Sequence, residues 1–127
     1  MTAVHCYVGA SIVVAFLIIA VYGGVGRLFR RRGLGKPFWG LLYYGETVLV
    51  VQIGLGILLF LGGQRPTDTL HYVYGSLFPL IALVVGRLYA LRREDYDYVP
   101  IALAAFVAFG LTTRAFMTGQ GNGFGCP

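Results

Sequence analysis

Four long apolar runs, separated by short polar breaks, account for most of the chain. They cover about residues 7–25, 38–61, 70–91 and 99–117. Each supplies the ~20 residues a helix needs to cross a bilayer. The pattern predicts an all-α integral membrane protein, a four-transmembrane-helix bundle in one domain, with a Gly-rich polar tail over 118–127. Short breaks make consecutive helices antiparallel neighbours.

The breaks carry the expected punctuation. Gly23, Gly24 and Gly26 loosen the end of the first run, and Pro37 stands at an allowed place for the start of the second. Gly62-Gly63-Gln64-Arg65-Pro66 is a turn, and Thr67-Asp68-Thr69 offers capping oxygens to the third helix. Asp97 caps the fourth, with Pro100 in its first turn. Pro79 falls inside the third run, where it removes a donor and crowds the carbonyl of Gly75, so a kink is expected there. In the second run, Gly45, Gln52, Gly56 and Gly63 fall within roughly 20° of one line at 100° per residue. This small-residue stripe suits close helix packing.

Composition sharpens the membrane reading. Hydrophobic residues make up 57% and charged residues 12% of the 127, with 19 glycines. A soluble domain has roughly a quarter charged residues. The formal net charge of +5 does not point to nucleic acid, because Arg27, Arg30, Arg31, Arg32, Lys36, Arg87, Arg92 and Arg93 all flank apolar runs. By the positive-inside rule these basic loops are cytoplasmic and both termini lie on the outer side. The expected location is a plasma membrane, bacterial or archaeal. The first run has its charges after it rather than before it, so it reads as an uncleaved anchor and not a signal peptide. Trp39, Tyr43 and Tyr44 fit an aromatic belt.

Polar groups within spans are the functional candidates. His5 and His71 fall at the outer ends of the first and third helices, at similar depth. Two such imidazoles can hold a haem iron axially, or a metal ion. Gly75, one turn below His71, leaves room for a flat macrocycle. Asp68 is placed to accept the second ring proton of His71, and Arg114 to pair with propionates. In layout this resembles small membrane b-type cytochromes, which carry bis-His haem between helices; the resemblance rests on these positions and on no family motif. It implies haem b or another tetrapyrrole as cofactor and an electron-transfer role.

Glu46 is the only acidic residue deep in a span, with Gln52 further along the same helix. A carboxylate there is either a proton-coupling group or a structural one satisfied by Tyr43, Tyr44, Thr47 or Arg87. Proton coupling of this kind is seen in the small four-span multidrug exporters, which carry their glutamate in the first helix. The Gly-Gly-x-Gly-Arg of Gly23 to Arg27 is faintly similar to small fluoride channels, whose asparagine and phenylalanine motifs are missing. Cys6 and Cys126 both fall outside, where a disulfide between them would fasten the tail over the bundle. There is no Cys-x-x-Cys-His for covalent haem attachment, no Walker-type loop, no nucleophile elbow and no zinc spacing.

Three functions therefore stand open at this level. The first is a small haem-binding subunit of a bioenergetic, electron-transfer assembly. The second is a cofactor-free accessory or assembly subunit of a larger membrane complex. The third is a proton-coupled transporter or channel that uses Glu46. The expected partners are the lipid bilayer and other membrane subunits or further copies of the chain.

Overall fold

A computed structural model describes residues 2–120. It is all-helical: α1 spans Thr2–Leu28, α2 Gly35–Leu61, α3 Leu70–Ala90 and α4 Tyr98–Gln120. All four are long and apolar enough to cross a membrane. α1 runs a few residues past its apolar run at both ends, α2 past the start of its own and α4 past the end, while α3 matches its run to within one residue; a helix continues into polar residues wherever its backbone bonds can still be made.

The helices stand in the order α2, α1, α4, α3 around the bundle, and α4 packs on both α1 and α3. Its sequence explains this. Ala102, Ala104, Ala105, Ala108 and Ala115 are all buried, and small side chains let two neighbouring backbones come close at once. The opposing helices answer with glycine. A Cβ on Gly23 of α1 would lie 2.3 Å from that of Ala102, and one on Gly86 of α3 would lie 2.5 Å from that of Ala104 and 3.1 Å from the Pro100 carbonyl oxygen. The Gly86 contact includes main chain, which cannot rotate away. Gly86→Ala is therefore expected to cost about 1–3 kcal/mol through overpacking, read as a lower unfolding midpoint in mild detergent. Gly24→Ala is the control, since a Cβ there meets nothing within 4 Å; it should leave the midpoint unchanged or raise it slightly.

The core is built from Ile12, Phe16 and Ile19 of α1, Phe38, Leu42 and Leu49 of α2, Leu83 of α3 and the alanine face of α4 with Ile101. The small-residue stripe of α2 turns toward α1: Gly45 rests on Phe16, and Gly56 on His5. Gly63 lies beyond the helix, with φ +85° in the turn. At the basic end the two loops are joined. Tyr98 is fully buried, and its hydroxyl donates to the Arg31 carbonyl. The Arg27 guanidinium lies 4.8 Å from the centre of the Tyr96 ring.

One expectation is corrected and a second takes a definite form. First, α2 and α3 are not packed neighbours despite their short connection. Their backbones approach only near residues 73–77, and the seam between them is otherwise open. Antiparallel pairing of consecutive helices gives way here because α4 offers α3 a smoother, alanine-lined surface. Second, the disturbance near Pro79 takes the form of a π turn over Val73–Leu77, in which the Phe78 N–H reaches back five residues to the Val73 carbonyl. One extra residue in the turn is how the chain accommodates the donor that Pro79 lacks.

Candidate functional site

The π turn decides which side chain of α3 enters the bundle. Pro79, Leu83 and Gly86 form its buried line. At about 100° per residue a regular helix would carry His71 roughly 80° off that line and place Tyr72 nearer to it. The additional residue takes most of this back, so His71 points inward while Tyr72 stays exposed.

Inside, His71 meets His5 of α1 across the bundle. Their ring centroids are 6.0 Å apart, with the planes at 61°. His71 Nδ1 lies 2.7 Å from the Ala115 carbonyl oxygen of α4. A carbonyl only accepts, so Nδ1 carries a proton, and in the neutral ring Nε2 then keeps the lone pair. That is the usual orientation of a metal-binding histidine. His5 Nδ1 is buried without a hydrogen-bond partner among the described residues, and so is Gln52 Oε1. The Gln52 amide nitrogen donates to the His5 carbonyl at 2.7 Å, which fixes the first turns of α1 against α2.

Around the pair lies a cavity of about 340 Å³. Each helix gives it a glycine: Gly9, Gly56, Gly75 and Gly119. Two of these face the imidazoles directly. A Cβ on Gly56 would sit 3.3 Å from His5 Cε1, and one on Gly119 would sit 2.7 Å from His71 Cε1. Away from the turn the wall is mostly apolar, with Ile12, Leu49 and Ile53 beside Gln52 and Thr112; the turn side carries Thr2, Gln64 and Arg65. The volume falls at the lower end of the range for small-molecule sites.

Of the residues expected at a cofactor site, His5, His71 and Gly75 come together here and Gln52 joins them. Asp68 does not serve His71. Its Oδ1 accepts from the Leu70 N–H at 2.9 Å, capping α3, and the Ala115 carbonyl takes the ring proton instead. Arg114 is exposed and does not line the cavity. It precedes Ala115, which faces inward, by one residue, and a step of about 100° turns it outward. The cavity does not reach Glu46 either. That carboxylate forms a bidentate pair with Arg87, at 2.9 Å from Nε and 2.7 Å from Nη2. Cys6 is buried near the histidine end, while the candidate bridge to Cys126 lies outside the described residues.

Sequence reasoning missed Gly9, Gly119 and Arg65. A signal for Gly119 was present: Ala108, Thr112, Ala115 and Gly119 recur at helical spacing and continue the small face of α4 to the level of His71. Arg65 could have been found as the one cation in the turn that joins the ends of α2 and α3 nearest the histidines.

The donor set limits the chemistry. Among the described residues no group of three or more His, Cys, Asp or Glu side chains is placed to hold a metal ion. A bare zinc-type site needs three or four protein ligands. Two opposed imidazoles suit a metal that brings its remaining ligands with it, as a tetrapyrrole does. Comparison with protein-family models, with curated proteins and with solved structures finds no match to this chain.

Proposed function

We propose that this chain is a small membrane haem protein that holds b-type haem between His5 and His71 and serves a bioenergetic assembly in electron transfer. The observation that carries the reading is the imidazole pair: metal–imidazole bonds of about 2 Å set opposed ring centroids roughly 6 Å apart, and the two rings stand at 6.0 Å. The bond from His71 Nδ1 to Ala115 leaves Nε2 free to ligate, and His5 holds a buried ring nitrogen in want of a partner. Glycines from all four helices admit a flat group. The cavity is small for a macrocycle, and a bound ring would need the space of the open seam between α2 and α3 as well.

Bound haem supplies one-electron chemistry at the iron. The protein's part is to fix both imidazoles, surround the ring with apolar side chains and exclude water from its deep side. On the positive-inside rule the basic end faces the cytoplasm, which puts the histidine end and both termini on the outer side of the membrane. The electron partner is then another membrane subunit or an outer-side carrier.

The test is the absorption spectrum of the protein purified in mild detergent from cells supplied with haem, first oxidised and then reduced with dithionite. A Soret band that sharpens, with a narrow α-band on reduction, is the expected result. A colourless protein would remove the haem reading and leave the accessory-subunit role.

A further inference from the structure

Resting on the haem reading above, we propose that Arg65 receives the carboxylates of the ligand, so that the tetrapyrrole lies with its acidic edge toward the turn between α2 and α3. Arg65 is the only Lys or Arg lining the cavity among the described residues, and it stands on the turn side beside Gln64 and Pro66. Its guanidinium is already oriented. Nη1 donates to the Phe60 carbonyl at 2.7 Å and to the Gln64 carbonyl at 3.0 Å, and the carbon at its centre lies 3.9 Å from the centre of the Phe60 ring. These contacts use one nitrogen and one face. Nε and Nη2 donate to no described residue, and together they form the edge that binds a carboxylate with two parallel hydrogen bonds.

The rest of the cavity gives the ligand its direction. Away from the turn, Ile12, Leu49 and Ile53 offer nothing to an anion, and burial of an unpaired carboxylate there would be costly. On the turn side, Thr2 Oγ1 donates to Gln64 Oε1 at 3.2 Å, so polar groups from α1 and the turn gather beside Arg65. A flat amphiphile with carboxylates on one edge therefore enters with that edge outermost. Arg114, the other cation toward this end of the bundle, faces away.

The experiment compares free-acid haem with its dimethyl ester, each titrated into protein produced without haem and kept in mild detergent. The wild-type protein should bind the acid at least about tenfold more tightly than the ester, the gain expected of a charge-assisted bidentate contact. Arg65→Gln should bring the acid down to the affinity of the ester and leave the ester where it was. Equal weakening of both forms would overturn the assignment, since it would mean that Arg65 acts only by holding the end of α2. Equal binding of acid and ester by the wild type would overturn it as well, while leaving histidine-bound haem intact. If the wild type bound neither form, the haem reading itself would fall and the Arg65 assignment with it.

Discussion

Replacing His71 with alanine is expected to abolish the α-band of the reduced protein and to weaken haem binding by more than ~100-fold. Loss of a mere supporting partner costs 10–100-fold in metal sites, and on the proposed reading His71 is a ligand. The substitution removes a ring that sits on Gly119 and donates to the Ala115 carbonyl. That carbonyl lies within α4 and keeps its place in the helix without the imidazole. The variant should therefore fold, with an enlarged cavity. Two further measurements separate ligation from packing. Free imidazole added to His71→Ala should restore much of the band, because it fits the space vacated and brings the same nitrogen. His71→Gln, which can still donate to Ala115, should not restore it. An unchanged spectrum in His71→Ala would rule out this residue as an axial ligand.

The second large effect is expected at the ion pair between α2 and α3, where removal of the two partners should have unequal consequences. Arg87 and Glu46 are 39% and 23% exposed, and their side chains bridge a seam where the backbones do not approach. Glu46→Gln leaves a guanidinium within a membrane span. It cannot lose its proton, but Arg87 lies in the last turn of α3 and can reach toward the interface, so its cost falls well below the ~3 kcal/mol of a mid-span arginine. Stacking on Tyr43, whose ring centre is 5.6 Å away, and the remaining amide oxygen reduce this further, so a loss of about 1 kcal/mol is expected. Arg87→Met should cost less, because a carboxylic acid left without its cation in apolar surroundings can take up a proton and become neutral. The double variant should be the mildest of the three, since it leaves no charge behind. Equilibrium unfolding of all four proteins in one detergent gives the comparison. If Arg87→Met proved the more damaging single change, the pair would not be acting as a charge clamp. The bidentate geometry supplies a structural role for Glu46, and the cavity does not extend to it.

The four helices were legible because a span must be long, apolar and bounded by charge or glycine, and each of these is written in residue types. The placement of His5 and His71 at one level followed from the same alternation, since odd and even helices run in opposite directions. What could not be read was anything settled by main-chain atoms. Asp68 was the natural acceptor for His71 by spacing, yet the acceptor is the Ala115 carbonyl, and carbonyls are not distinguished in a sequence. The π turn was likewise out of reach. Pro79 announces a disturbance, but that it takes the form of an inserted residue depends on how α3 settles against α4. Arg114 and Arg65 exchange places for a simpler reason: depth alone was used for Arg114, and depth does not say which side of a helix a residue occupies. The alanines of α4 did contain the information that this helix is central. Small residues on two faces of one helix are a packing signal, and here that signal outweighs the tendency of chain neighbours to pack together.

The central place of α4 bears on how the protein is made. α1 and α4 lie far apart in the chain, yet they share the most extensive interface, and α3 also packs mainly on α4. During synthesis the first three helices emerge before the surface that unites them exists. Until then α1 has only α2 for company, and α3 has little at all. Assembly of the bundle is thus a late and long-range event, completed when the alanine-lined helix packs on both α1 and α3. His71, set by the π turn that follows it, takes up its position against Ala115 of α4 at that same step, so the cavity and the finished fold arrive together.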